Sequence, residues 1–106
     1  MWTPHTILVD GDLIPFADAA IHPLSLGVAY ATTVFEGIRA YRHPASGDYT
    51  LFRLAEHVKR LQVGMKVMRF EQTLKLEQLH EQLSALIRAN EPDDDVYIRL
   101  LVYIKG

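Results

Sequence analysis

Apolar and polar residues turn from strand-like to helical spacing near residue 54, and the helical spacing ends near residue 90. Before residue 54 the short runs read as strands. Ile7-Leu8-Val9 is followed by Asp10-Gly11 and then Leu13-Ile14, which predicts a tight hairpin. A type I′ turn needs φ > 0, and Gly11 takes it without steric cost. Pro15 limits the return strand, because it has no N–H for the ladder. The stretch from Asp18 to Gly27 reads as irregular, with Pro23 and Gly27 as breakers. Thr32, Thr33, Val34, Phe35, Ile38 and Tyr41 then predict a longer strand. Gly37 lies inside it and marks a bulge or the close approach of another group. His43 to Asp48 reads as a loop, and Tyr49 to Phe52 as the strand that returns from it.

From Leu54 the period becomes helical. Leu54, Val58, Leu61, Met65 and Met68 step by 4, 3, 4 and 3. A second helix is expected from Leu74 to Asn90, with Leu76, Leu79, Leu83, Leu86 and Ile87 on its apolar face and Thr73 as N-cap. Glu91-Pro92-Asp93-Asp94-Asp95 ends it. Val96 to Ile104 is apolar without clean alternation, which predicts a strand buried on both faces. Strands, then two helices, then a strand imply an α+β fold, with both helices covering one face of a mostly antiparallel sheet. Residues 1–106 read as one domain without repeat or linker. The last strand runs straight into Lys105-Gly106, so a longer parent protein is expected.

Composition narrows the partners. A formal net charge of −2, with basic and acidic residues intermixed, provides no basic patch for nucleic acid or a membrane surface. Met1 to Asp10 lacks the pattern of a signal peptide, and no apolar run reaches the ~20 residues of a membrane span. A soluble, cytoplasmic protein is the expectation. Cysteine is absent, and the five histidines are scattered, so neither a disulfide framework nor a metal site is expected. There is no Gly-rich phosphate loop and no nucleophile elbow.

Three segments could carry chemistry. Alternation along residues 34–41 places Phe35, Gly37, Arg39 and Tyr41 on one face. That face suits either a pocket wall with a cation at Arg39 or an amphipathic strand with Arg39 in solvent. At the start of the first helix, Arg60 precedes a core leucine. It could reach a phosphate, or it could pair with Glu56 one turn away on the surface. Tyr97 and Arg99 share one face of the last strand. A buried arginine there needs a carboxylate, which a substrate or the protein itself could supply.

In order and spacing these segments resemble the class IV (fold type IV) PLP-dependent aminotransferases, most of all the branched-chain type. The resemblance rests on Val9-Asp10-Gly11-Asp12-Leu13-Ile14-Pro15, Ala17-Asp18-Ala19, Ile21-His22-Pro23-Leu24-Ser25, Tyr30, Val34 to Tyr41, Phe52-Arg53-Leu54, Glu56-His57, Arg60-Leu61 and Tyr97-Ile98-Arg99. It implies the small N-terminal domain of such an enzyme. It implies an amino-group transfer between Leu, Ile or Val and 2-oxoglutarate, with pyridoxal 5′-phosphate as cofactor. Arg60 is then the cofactor-binding residue, on the phosphate. Phe35, Gly37 and Arg39 line the substrate side-chain pocket, Tyr30 reaches the pocket of a neighbouring subunit, and Tyr97 with Arg99 orients substrate carboxylates.

The resemblance also implies amino-acid and 2-oxo-acid substrates and a homo-oligomer, a dimer or larger. D-amino-acid aminotransferase and aminodeoxychorismate lyase share the fold and are alternatives. A stand-alone binding or dimerisation module is another. Two positions depart from the family's usual residues: Ala31 stands where glycine is common, and Leu100 where proline is common. The lysine that bonds covalently to the cofactor belongs to a larger C-terminal domain. Lys59, Lys66, Lys75 and Lys105 do not match its context. No catalytic residue is therefore expected in this chain, and the chain alone is expected to be inactive.

Overall fold

The computed structural model describes residues 3–105, so the sequence ends at Met1, Trp2 and Gly106 lie outside the described residues. The chain opens with an antiparallel hairpin, β1 (Thr6–Val9) and β2 (Asp12–Pro15). Asp10 and Gly11 take φ of 51° and 85°, as the expected tight turn requires. β2 ends at the predicted breaker, Pro15. The stretch expected to be irregular is bracketed by two short helical turns: a 3-10 turn at Phe16–Asp18 and α1 (Leu26–Ala29).

β3 (Thr33–Arg42) is the central strand of a second, wholly antiparallel sheet. β4 (Tyr49–Leu51) lies on one side of it and β5 (Val96–Tyr103) on the other. The β3–β5 register runs from Thr33 opposite Tyr103 to Ala40 opposite Val96. A shift of one residue would exchange the faces of every side chain.

α2 (Leu54–Val67) and α3 (Leu76–Asn90) pack on the same face of this sheet. Leu54, Val58, Leu61 and Met65 are buried, as their spacing predicts. Met68 falls just beyond α2 and is partly exposed. From α3, Leu79, Leu83 and Ile87 meet Ile38 and Ala40 of β3 and Ile98 of β5 in one core. Leu76 is exposed instead, and Thr73 is not the N-cap: Lys75 holds that place, with no side-chain cap bond.

β5 does not follow the sequence expectation of burial on both faces. Ile98 is buried, while Tyr97 is 54% exposed and Leu101 is exposed too. The helices cover only one face, and the uncovered face carries Tyr97, Leu101 and Tyr103, so the run looks uniformly apolar without being buried throughout.

Asn90 ties the hairpin to the helical layer. Its side-chain oxygen accepts from the backbone N–H of His5 at 2.7 Å and of Thr6 at 3.0 Å. Its amide nitrogen donates to the Thr6 carbonyl at 3.0 Å and the Leu86 carbonyl at 2.9 Å. Residue type and place together explain this: an asparagine at the last turn of a helix can satisfy both donors and acceptors of an adjacent chain.

Candidate functional site

The alternation of β3 and β5 assembles one uncovered sheet face. Phe35, Gly37, Arg39 and Tyr41 come from β3, and Tyr97, Arg99, Leu101 and Tyr103 from β5. Gly37 stands opposite Arg99, and Arg39 opposite Tyr97. The structure therefore brings together five of the residues singled out in the sequence: Phe35, Gly37, Arg39, Tyr97 and Arg99.

Gly37 is where another group approaches closely, and that group is Tyr97. A Cβ at residue 37 would lie 1.9 Å from the Tyr97 hydroxyl and 2.5 Å from Cζ, so the ring lies across the bare backbone. The Arg99 guanidinium sits 5.4 Å from the centre of the Phe35 ring, a cation–π distance. Sequence reasoning asked whether Arg99 was buried against a protein carboxylate. It is exposed and makes no salt bridge among the described residues. Arg39 likewise has no ion-pair partner among them. The β3 and β5 side chains on this face supply two guanidinium groups, four aromatic rings and no acid, while Asp10 and Asp18 line the groove beside Arg99. Such a surface can bind carboxylates through the arginines while the rings contact an apolar side chain.

Tyr30 lies at the C-terminal end of α1 and is 74% exposed. α1 is tied to the end of β5 by a hydrogen bond from the Gly27 N–H to the Ile104 carbonyl at 2.8 Å. Gly27, read from sequence only as a breaker, is also a packing residue: a Cβ there would lie 2.9 Å from Tyr103 Cβ. Two grooves, of about 730 and 680 Å³, run between β1 and β5, and Arg99 is the one nominated residue that lines them.

Arg60 stands apart from these residues. It sits on α2, and its partner is Glu36 of β3, whose side chain points to the helical layer rather than the open face. Arg60 Nε donates to Glu36 Oε2 at 2.8 Å, and Nη2 donates to Oε1 at 2.7 Å. Nδ1 of His57, one turn earlier, lies 2.8 Å from the same Oε1. The surface pair with Glu56 does not form. The bidentate geometry explains the preference, since Glu36 offers both oxygens to a planar fork.

Glu36 is only 7% exposed, and the Arg60 guanidinium holds its carboxyl below the usual carboxylate range. Burial opposes that shift, and His57 adds to it. The Arg60 side chain remains 72% exposed. Its Nη1 makes no hydrogen bond among the described residues, so three of its five N–H donors stay available for an anion. A phosphate fits there as one contact.

The sequence reading missed Glu36. The signal was present: Glu36 alternates in phase with Ile38 and Ala40, the residues that fill the core. A carboxylate in that phase needs a cationic partner. Among the described residues no cluster of His, Cys, Asp or Glu could hold a metal ion, and no helix is long and apolar enough to cross a membrane.

An α+β unit with an antiparallel sheet and helices on one face leaves an arginine-bearing aromatic surface on the other, a surface with the chemistry to bind anions. Residues 33–106 match the family described as amino-transferase class IV, and the chain belongs to that family. Over 98 residues it is 35% identical to the branched-chain-amino-acid aminotransferase of Salmonella typhimurium, covering 92% of this chain and 31% of that protein. The crystal structure of the Escherichia coli branched-chain amino acid aminotransferase superposes with a TM-score of 0.87 and 32% identity, over 98% of this chain and 33% of that one. The branched-chain amino acid aminotransferase from Thermobaculum terrenum, in its PLP-bound holo form, superposes with a TM-score of 0.82 and 34% identity, over 94% of this chain and 33% of that one. The chain thus spans about a third of the length of the relatives it matches.

Proposed function

We propose that this chain is the N-terminal small domain of a branched-chain amino-acid aminotransferase, which transfers an amino group between Leu, Ile or Val and 2-oxoglutarate. The observation that carries the reading is that Arg39 and Arg99 stand among aromatic rings on one sheet face to which neither strand adds an acid. Both substrates bear a carboxylate at the reacting end. One adds an apolar side chain and the other a second carboxylate, so a pocket serving both needs rings and cations together. The relatives named above support the branched-chain assignment.

In this reading Phe35 and Tyr97 contact the substrate side chain, and Gly37 lines the pocket by giving the Tyr97 ring its seat. Arg39 lines the same pocket. Arg99 receives a carboxylate with its guanidinium braced on Phe35. Tyr30, standing clear of its own domain, reaches the pocket of a second copy in a homo-oligomer. Arg60 holds the phosphate of pyridoxal 5′-phosphate, which when bound supplies the electron sink for the transfer. The rest of the phosphate cradle and the reacting lysine belong to a larger C-terminal part, and the enzyme works in the cytoplasm.

The test is an assay of the whole protein that contains this chain, with pyridoxal 5′-phosphate and 2-oxoglutarate. Glutamate formation from L-leucine, L-isoleucine and L-valine is expected, with little from D-alanine. The reverse preference would overturn the branched-chain reading. Glutamate formation by residues 1–106 alone would overturn the division of labour.

A further inference from the structure

We propose that Glu36 is the positioning residue of the phosphate anchor: from within the β3–α2 interface it holds Arg60 so that one edge of the guanidinium stays open to a phosphate. The inference rests on the assignment of Arg60 to the cofactor phosphate. Three observations carry it. Glu36 is buried, and its backbone belongs to the β3 ladder, so its carboxylate is a rigid support. It takes Nε and Nη2 of Arg60 in a two-point clamp, which fixes the plane of the guanidinium as well as its position. Nη1 takes no part in the clamp, and the Arg60 side chain as a whole is largely exposed.

An unclamped arginine on a helix surface samples many rotamers, and a ligand must freeze them on binding. A clamp already made in the free protein removes that cost. His57 shares Oε1 and braces the carboxylate from the same helix. The clamp also links two parts of the site. Glu36 lies between Phe35 and Gly37, so one strand carries the phosphate anchor's support on one face and the side-chain pocket on the other.

Charge opposes orientation here. The Glu36 carboxylate repels a phosphate dianion, so if charge dominated, removing it would tighten binding. We expect orientation to dominate, because the clamp is bidentate and leaves Nη1 to the phosphate. The experiment measures the dissociation constants of pyridoxal 5′-phosphate and of pyridoxal, which lacks the phosphate, in the apo form of the whole enzyme. It compares Arg60→Ala, Glu36→Ala, Glu36→Gln and the Arg60→Ala/Glu36→Ala pair.

Glu36→Ala should weaken pyridoxal 5′-phosphate about tenfold and leave pyridoxal unchanged. Glu36→Gln keeps one acceptor and should fall between Glu36→Ala and the parent. Glu36→Ala should add nothing once Arg60 is gone. Tighter phosphate binding in either Glu36 variant would overturn the proposal, as would equal loss for both ligands. If Arg60→Ala weakens binding and neither Glu36 variant does, the positioning role fails and the anchor stands. If Arg60→Ala changes nothing, the assignment of the anchor itself fails. Thermal melts check folding, and Glu36→Gln decides the matter where Glu36→Ala does not fold.

Discussion

Gly37→Ala should leave this domain about as stable as before while displacing Tyr97. The added Cβ would lie 1.9 Å from the Tyr97 hydroxyl, 2.5 Å from Cζ and 2.7 Å from Cε2. Ordinary carbon contacts lie near 3.5–4.0 Å, so the ring tip must retreat by roughly 1.5–2 Å. Tyr97 is 54% exposed, and the clash involves the far end of its side chain. Swinging it aside costs about 0.5–1.5 kcal/mol in rotamer strain. Replacing a strand glycine by alanine returns about 0.5–1 kcal/mol of backbone entropy. The two nearly cancel, and the net change should stay within about 1 kcal/mol.

Urea denaturation followed by circular dichroism measures that change, and the ring's nuclear Overhauser contacts report its position. Tyr97→Phe should not relieve the clash, since Cζ and Cε2 remain; Tyr97→Ala should. A loss above about 2 kcal/mol, as expected of rigid overpacking, would refute the reasoning. So would an unmoved ring. In the whole enzyme the displaced ring should raise KM for the branched substrates, which separates the pocket from the fold.

Gly27 provides the contrasting case: its Cβ would meet Tyr103 Cβ at 2.9 Å and the Ile104 carbonyl at 3.0 Å, atoms that no rotamer change can move. Gly27→Ala should therefore cost about 1–3 kcal/mol in the same denaturation assay. Ala31 holds φ of 55°, a left-handed conformation that favours glycine. Ala31→Gly should raise stability by about 1 kcal/mol, read as a melting temperature higher by roughly 4–8 °C. Glu36 has a depressed carboxyl pKa, so its contribution to stability is full above the unfolded-state value of about 4.3 and is lost as pH falls through the lower folded value. Glu36→Gln should flatten that part of the acid limb in urea midpoints measured against pH; an unchanged slope would show that the pairing carries no stability.

Much of the fold was legible because its signals are local. The turn at Asp10-Gly11 follows from the freedom of one glycine, and the buried faces of α2 and α3 follow from helical periodicity. Alternation along β3 sorted Phe35, Gly37 and Arg39 from Glu36, Ile38 and Ala40 without any knowledge of what covered either side. What alternation could not supply was the neighbour. Nothing local says that Arg99 lands opposite Gly37, or that the Tyr97 ring fills the space that glycine leaves.

The partner of Arg60 shows the same division most clearly. Within the helix the nearest acid is Glu56, and local reasoning stops there. The tertiary structure brings Glu36, 24 positions away in sequence, within 2.7 Å and removes it from water. A buried, bidentate acceptor outcompetes a solvated one, because its charge has little else to solvate it. The sequence by itself determined the main strands and helices, the inner and outer faces of β3, α2 and α3, and the cationic residues available to meet an anion, but not the open face of β5. Only the tertiary structure decided which of those residues share a surface, which stay unpaired and open to a ligand, and which are already held by the protein. Those outcomes depend on strand register and helix placement, which arise from the packing of the whole core rather than from any one segment.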